Sequence, residues 1–542
     1  MNLFHTLDWI VIFAYFALIA AISWWSMRKK KDSASEYFLA GRNIGWFVVG
    51  ASILASNVGS EHVVGLSGTA AKSGLVMGHY EMHSWIVLLL GWVFIPFYVR
   101  SQVFTMPEFL ERRFGSNARW FLSIVSLLSY VLTKVSVTVY AGAVVIAAFM
   151  GFDFWTSALV LVVLTGIYTV LGGMRAVAYT EALQAVVLLL GSIILTIIGL
   201  NELGGWDAMI AATPKEKLNM FPPLSDPDFP WAGILFASPV VGLWYWCTDQ
   251  YIVQRCLAAS SEQEARRGTI FAAYLKLFPF FIFMIPGLIA TALAASGKLQ
   301  LDSADQAFPA LVETLMPVGL RGLLAGGLLA ALMSSLASVF NSCSTLFTMD
   351  IYRKVKPQTS ERDLVTVGRI ATAVVVGLGI LWIPIMKGIS GTLYQYLQSV
   401  QSYLAPPIAA VFLLGLFYKR INGTGAMVTL VGGFILGMLR IFLELNKDSL
   451  TGFLHTFATL NFLYFCIVLF VFCIVLLIGA SMFGVKPTEA QLNGLTFSTV
   501  SAADRDRSRS SWNATDVVLS LIVVVIIVTV FVYFSPLGVA GH

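Results

Sequence analysis

Charge is scarce in this chain. Asp, Glu, Lys and Arg make up 12% of its 542 residues, about half the share found in an ordinary soluble domain. That shortage excludes a water-soluble enzyme of this length. The net charge of +5 carries no signature of a nucleic-acid partner, because the basic residues are spread between apolar segments. Cysteine is equally sparse. Cys247, Cys256, Cys343, Cys466 and Cys473 lie in or beside apolar runs without metal-type spacing, so they read as buried thiols, not a disulfide framework. The first apolar segment lacks a basic leader and a small-residue cleavage site, and it is followed by Arg28-Lys29-Lys30-Lys31. It reads as a retained helix, not a signal peptide. No His-Glu-x-x-His, no Gly-x-Ser-x-Gly and no paired catalytic carboxylates occur, which leaves a membrane enzyme without a visible active site.

What the chain does have is apolar length. Hydrophobic residues reach 58% and the mean hydropathy is +0.82. About fourteen segments, from 8–27 to 516–537, each approach the ~20 residues that cross a bilayer. With the N-terminus outside, 24 of the 34 basic residues fall in cytoplasmic loops, Arg255 counted among them. The external loops 203–230 and 294–310 hold few. This alternation is the positive-inside pattern, and it places both termini outside. The short external loops without cysteine-rich insertions point to a bacterial protein in the cell (inner) membrane.

The chain then divides into an extra helix and linker at 1–44, five-helix units at 45–203 and 230–417 separated by an external loop at 204–229, and three further helices at 418–542. The polar stretch 484–515 reads as a solvated cytoplasmic linker, in part disordered.

Two segments are interrupted. The second carries Ala55-Ser56-Asn57-Val58-Gly59-Ser60-Glu61-His62 in its middle. The seventh carries Leu243-Trp244-Tyr245-Trp246-Cys247-Thr248-Asp249-Gln250-Tyr251-Ile252-Val253-Gln254-Arg255. They stand first in the two five-helix units, and paired interrupted helices point to an inverted-repeat transporter with its site at the bilayer midplane. Unwound backbone there leaves carbonyls for a cation and amides for a ligand. Aromatic faces beside hydrogen-bonding groups suit a flat, hydroxyl-rich ligand such as a sugar ring.

The second of these stretches closely resembles the sixth core helix of sodium/solute symporters, particularly sodium/glucose (galactose) cotransporters. The likeness covers about 37–420 and includes Tyr37-Phe38-Leu39-Ala40-Gly41-Arg42, Thr105-Met106-Pro107-Glu108-Phe109-Leu110, Leu332-Met333-Ser334-Ser335-Leu336-Ala337-Ser338 and Tyr403-Leu404-Ala405-Pro406-Pro407. It implies an all-α polytopic membrane protein with a LeuT-like five-plus-five inverted repeat, importing a sugar by alternating access. It also implies sodium as the coupling ion, bound by the hydroxyls of Ser334 and Ser335 and the carbonyls of Ala55, Val58 and Ala331. Without it, each serine reads as back-bonding to its own helix.

By the same resemblance the ligand contacts are Asn57, His62, Glu81, Ser84, Lys276 and Gln398, with Tyr245 as inner gate; Trp244 and Trp246 read as packing behind it or lining the cavity. Lys276 is a cation within an apolar span, where a purely structural lysine is rare. Glu81 has interfacial solvation at a helix end as its rival reading. His62 has a packing role, and stands where relatives often have Gln. Gly242 stands where they often have a polar contact. Asp249 reads as ordering its helix through local hydrogen bonds or a basic partner, and Glu61 as solvent-facing.

Some relatives carry a second sodium site. The matching positions are Glu181, in place of Asp, and Ala337 and Ser338. Ala337 has no side-chain oxygen, which favours one sodium per sugar, and Glu181 otherwise reads as a helix-end charge facing water. Other cargoes (myo-inositol, an organic acid, an amino acid) and a transporter-derived nutrient sensor remain as alternatives. Oligomeric state is left open.

Overall fold

The computed structural model describes residues 4–27, 33–59, 61–301, 303–386 and 393–541. The basic run 28–31 and the side chain of Glu61 lie outside them. Almost every described element is a helix. Those used below are α1 (Thr6–Met27), α2 (Trp46–Asn57), α3 (Phe154–Leu203), α4 (Trp231–Gly242), α5 (Gln250–Leu257), α6 (Glu262–Leu275), α7 (Leu320–Thr345), α8 (Leu393–Phe417), α9 (Gly423–Leu445), α10 (Phe462–Phe483) and α11 (Ala514–Tyr533).

Among the described residues, ten helices are long and apolar enough to cross a membrane, and Trp46–Asn57, Val137–Ala147 and Phe154–Ile167 are shorter apolar helices. The expected fourteen spans do not carry over one for one. The predicted segments 155–172 and 177–203 form one element, α3, bent at Gly173. Gly173 has φ 59°, and a Cβ there would sit 2.8 Å from the Tyr37 carbonyl oxygen, so both backbone and packing demand glycine. The segments 45–70 and 230–254 are each split in two.

Both splits come from the sequence. α2 stops at Asn57, and Val58 is extended (φ −85°, ψ 107°) before a π-helical turn at Glu61–Leu66. Pro239, inside α4, cannot donate its backbone hydrogen bond. The chain then widens into a π-helical stretch at Leu243–Thr248. Asp249 is extended and caps α5, its carboxylate accepting from the Tyr251 amide.

Burial grades outward from one helix. In the apolar stretch of Leu320–Val355, 94% of the residues are buried, against 28% in those of Thr6–Ser26 and Ala514–Tyr533. α7 is therefore the core, and α1 and α11 present apolar side chains outward, as lipid-facing helices do. α7 packs along α3, and α2 packs along α6. Asp8 of α1 is buried and accepts from the amides of Gly319 (2.6 Å) and Gly322 (3.0 Å). A carboxylate thus satisfies the free donors at the N-terminus of α7.

Residues 484–515 are solvated as expected, with only Leu495 and Thr496 buried, but they are ordered where partial disorder was expected. They form short helices at Glu489–Leu492 and Ala502–Ser510, docked on the bundle. Phe497 stacks on Phe417 with centroids 4.7 Å apart and meets Phe97 edge-on at 4.8 Å. Arg100 donates to the Gly494 carbonyl at 3.1 Å, and Ser508 donates to Glu262 at 2.5 Å. All five cysteines are buried and free of disulfides.

Candidate functional site

The aromatic stretch after α4 lies against the deepest polar groups of the bundle. Trp244 and Trp246 are buried, and Tyr245 is half-buried. The Tyr245 and Trp246 rings meet edge-on at 5.0 Å. Asp249 has both partners foreseen for it: the Tyr251 amide at 3.2 Å and a basic group, Lys134, at 2.6 Å. The Tyr130 hydroxyl donates to the same carboxylate.

Beside this stretch is a cavity of about 60 Å³. Asn57, His62, Glu81, Tyr245, Trp246, Lys276 and Gln398 line it. Ser84 is buried nearby but is not part of the wall. Lys276 Nζ lies 2.5 Å from Glu81 Oε2, with side-chain exposures of 3% and 1%. Interfacial solvation of Glu81 is thereby ruled out. Burying two charges is tolerable only with such pairing. His62 Nε2 is 3.6 Å from the other Glu81 oxygen and 3.4 Å from Asn57 Nδ2. The Lys276 ammonium also sits 5.5 Å from the Trp246 ring centre. The wall offers donors, acceptors and a flat aromatic face, the repertoire that recognises a hydroxyl-bearing ring.

A second cluster joins α2 to α7. Ser334 Oγ donates to the Ala55 carbonyl at 3.1 Å. Ser335 Oγ lies 3.3 Å from the Val58 carbonyl and 3.4 Å from that of Ser56. Both hydroxyls cross to the broken end of α2, to the carbonyls the resemblance implies, and not to their own helix. Ala331 is buried one turn earlier on α7. Hydroxyl and carbonyl oxygens are the ligand type a hard cation takes.

The model for the sodium:solute symporter family matches residues 37–433. The chain belongs to that family. Sheep sodium/glucose cotransporter 1 is 40% identical over 532 residues, covering 90% of this chain and 80% of that protein. Mouse sodium/myo-inositol cotransporter 2 is 39% identical, covering 91% and 79%. Among solved structures, a Na⁺-coupled sialic acid symporter in its substrate-bound outward-open state aligns with TM-score 0.74 at 21% identity, over 89% of this chain and 99% of that one. A nucleobase-cation-symport-1 family transporter aligns with TM-score 0.55 at 13% identity, over 86% and 99%. The fold is thus the LeuT-like five-plus-five inverted repeat, in a multi-pass membrane protein.

In this symporter Glu181 does not face water. It is buried within α3, where Ser56 donates to it at 3.2 Å and Ser52 and Ser338 also donate to it. Arg255 Nη2 lies 3.1 Å away, and both side chains are 0% exposed. Arg255 is therefore a buried partner, not the cytoplasmic loop charge expected from its sequence. Its Nη1 donates to the Tyr251 carbonyl at 2.6 Å, and the Tyr251 hydroxyl in turn donates to the Ser56 carbonyl. The carboxylate, three serines and one guanidinium bind α2, α3, α5 and α7 together.

Sequence reasoning missed several wall residues, including Tyr80, His83, Lys134, Thr138, Tyr251 and Gln401. Lys134 had the same signal as Lys276, a cation within an apolar run. The others carry no signal that hydropathy or spacing could separate from packing.

Proposed function

We propose that this symporter imports a hexose of the glucose or galactose type, one molecule with one sodium ion, by alternating access. The single observation that carries the reading is the buried Lys276–Glu81 pair facing Tyr245 across one cavity, in a chain 40% identical to a sodium/glucose cotransporter. Asn57, His62, Glu81, Lys276 and Gln398 hold the hydroxyls, and Tyr245 and Trp246 cover the ring face. Sodium takes the hydroxyls of Ser334 and Ser335 with the carbonyls of Ala55, Val58 and Ala331. The ion then fixes broken α2 to α7 and completes the sugar site, so each ligand raises the affinity of the other by the same factor.

The energetics suit a scavenging importer. One charge crossing ~100 mV is worth ~2.3 kcal/mol, and a tenfold sodium gradient adds about 1.4 kcal/mol. Together they sustain roughly 500-fold sugar accumulation at about 1.4 kcal/mol per decade. Arg255 supports the single-ion stoichiometry, because its guanidinium already stands against the carboxylate a second sodium would need.

The same proposal takes 45–203 and 230–417 as the two repeats, with 1–44, 204–229 and 418–542 around them. Both termini lie outside, in the cell (inner) membrane of a bacterium, on the strength of the basic-residue pattern and short external loops. Myo-inositol is the second reading, favoured by the 39% identical mouse relative.

The deciding experiment is labelled-sugar uptake into proteoliposomes under an inward Na⁺ gradient against a K⁺ control, with wild type and Lys276→Ala. Sodium-dependent glucose or galactose uptake, lost in the variant, is expected. Uptake of myo-inositol alone would replace the cargo, and no uptake under either gradient would sink the sugar assignment.

A further inference from the structure

His83 lies outside the ligand contacts named above, yet it lines the same cavity. It sits at the break between the short helices Gly78–Glu81 and Ser84–Leu89, two residues beyond Glu81. Its side chain is buried, and Nε2 has no hydrogen-bond partner. Gln398 Oε1, on α8, is also buried without a partner and borders the same space. Two unmet polar atoms from separate elements around one cavity mark positions that a ligand satisfies, because a buried polar atom is otherwise costly to leave unpaired.

The position of His83 depends on Gly242. A Cβ at residue 242 would lie 2.8 Å from His83 Nδ1, 2.9 Å from His83 Cε1 and 2.4 Å from Ile86 Cδ1. Real Cβ atoms do not approach so closely, so a side chain at 242 would push the imidazole and the tip of Ile86 out of these positions. Glycine at the end of α4 admits the ring, and Tyr80 flanks it at 5.4 Å between centroids.

We propose that His83, admitted by Gly242, is a specificity-determining residue of the sugar site, its Nε2 bonding one hydroxyl of the cyclic polyol. This rests on the sugar reading above. Imidazole nitrogen either donates or accepts according to its tautomer, and a hydroxyl does both, so the contact needs no charge on the ring. An analogue lacking the bonded hydroxyl leaves a buried polar atom of the site unpaired, which costs it about tenfold in affinity. His83 therefore acts on the choice among epimers and deoxy-sugars, where a packing histidine would weaken all of them alike.

The test is competition binding on the purified full chain in sodium-containing detergent. Labelled galactose is displaced by glucose, by each mono-deoxyglucose and by myo-inositol, for wild type, His83→Ala, His83→Gln and Gly242→Ala. In wild type, one deoxy analogue is expected to bind about tenfold more weakly than glucose, the size of one lost hydrogen bond. In His83→Ala, glucose should fall to the level of that analogue while the other ratios hold. His83→Gln should restore part of the preference, and Gly242→Ala, which displaces the ring, should reproduce His83→Ala. A uniform loss across all competitors, or no change, overturns the proposal. Should His83→Ala not fold, His83→Gln and Gly242→Ala carry the same comparison. Wild type that binds sugars but shows no sodium-driven uptake would overturn the symport reading and leave the His83 contact standing. Wild type that binds none of these probes would overturn both.

Discussion

Lys134 Nζ lies 2.6 Å from Asp249 Oδ2, with side-chain exposures of 9% and 2%. The pair ties the helix run 116–150 of the first half to the breakpoint between α4 and α5 in the second. Lys134 also stands 4.0 Å from the Tyr251 ring centre and 4.7 Å from that of Tyr245. One ammonium thus holds the aromatic wall and its capping carboxylate together. Removing one member of a buried pair leaves the other uncompensated, at a cost of about 3–5 kcal/mol. Lys134→Met and Asp249→Asn should each lower the melting temperature in detergent markedly. The double variant should melt well above the value that adding the two losses gives. Strict additivity would mean that the pair is not coupled.

The hydroxyls of Ser334 and Ser335 carry a different expectation. Ser334→Ala and Ser335→Ala should each raise the sodium concentration for half-maximal uptake by about tenfold, the size of one lost polar contact. Reciprocity then requires the sugar affinity at fixed, subsaturating sodium to fall with it. Sodium titrations of uptake at several sugar concentrations measure both. A change in sugar affinity at saturating sodium would contradict the assignment.

Arg255 against Glu181 bears on stoichiometry. Sodium dependence of uptake should be hyperbolic with a Hill coefficient near one, and the flux ratio of sodium to sugar should also be one. Glu181→Gln removes the partner of a fully buried guanidinium. It should cost stability on the scale of a broken buried pair, about 3–5 kcal/mol, and leave the flux ratio at one. A ratio of two in the wild type would show that the guanidinium does not take the place of an ion.

Phe497 tests the docking of 484–515. It is held between Phe417 and Phe97, and each aromatic pair contributes about 0.5–1.5 kcal/mol beyond area. Phe497→Ala should accelerate protease cleavage within 484–515 while the transmembrane bundle stays resistant. Unchanged cleavage would mean that Arg100 and Glu262 suffice.

The parts of the site legible in the sequence share one property: a polar side chain where hydropathy predicts membrane depth. Lys276 and the broken stretches around Asn57 and Asp249 stand out in this way. Ser334 and Ser335 needed the family resemblance, because a hydroxyl in a helix has a carbonyl of its own within reach. What hydropathy does not give is azimuth. Arg255 follows an apolar run and reads as a loop charge, yet the cap at Asp249 starts a new helix that turns it inward to Glu181. Asp8 likewise shows no sequence sign that its partners lie at Gly319 and Gly322. His83 is indistinguishable in sequence from a packing residue, since its meaning depends on the missing side chain at Gly242.

The hydroxyls that join α7 to α2 have a consequence for the return stroke. Ser334 and Ser335 donate to the carbonyls of Ala55 and Val58, the same oxygens assigned to the ion. In the proposed cycle, loss of sodium lets two O–H bonds rotate onto those oxygens, so neither the Ala55 nor the Val58 carbonyl is left without a donor. A symporter must complete half of every cycle without cargo, and on the proposed site two such rotors would let that half run with both carbonyls paired.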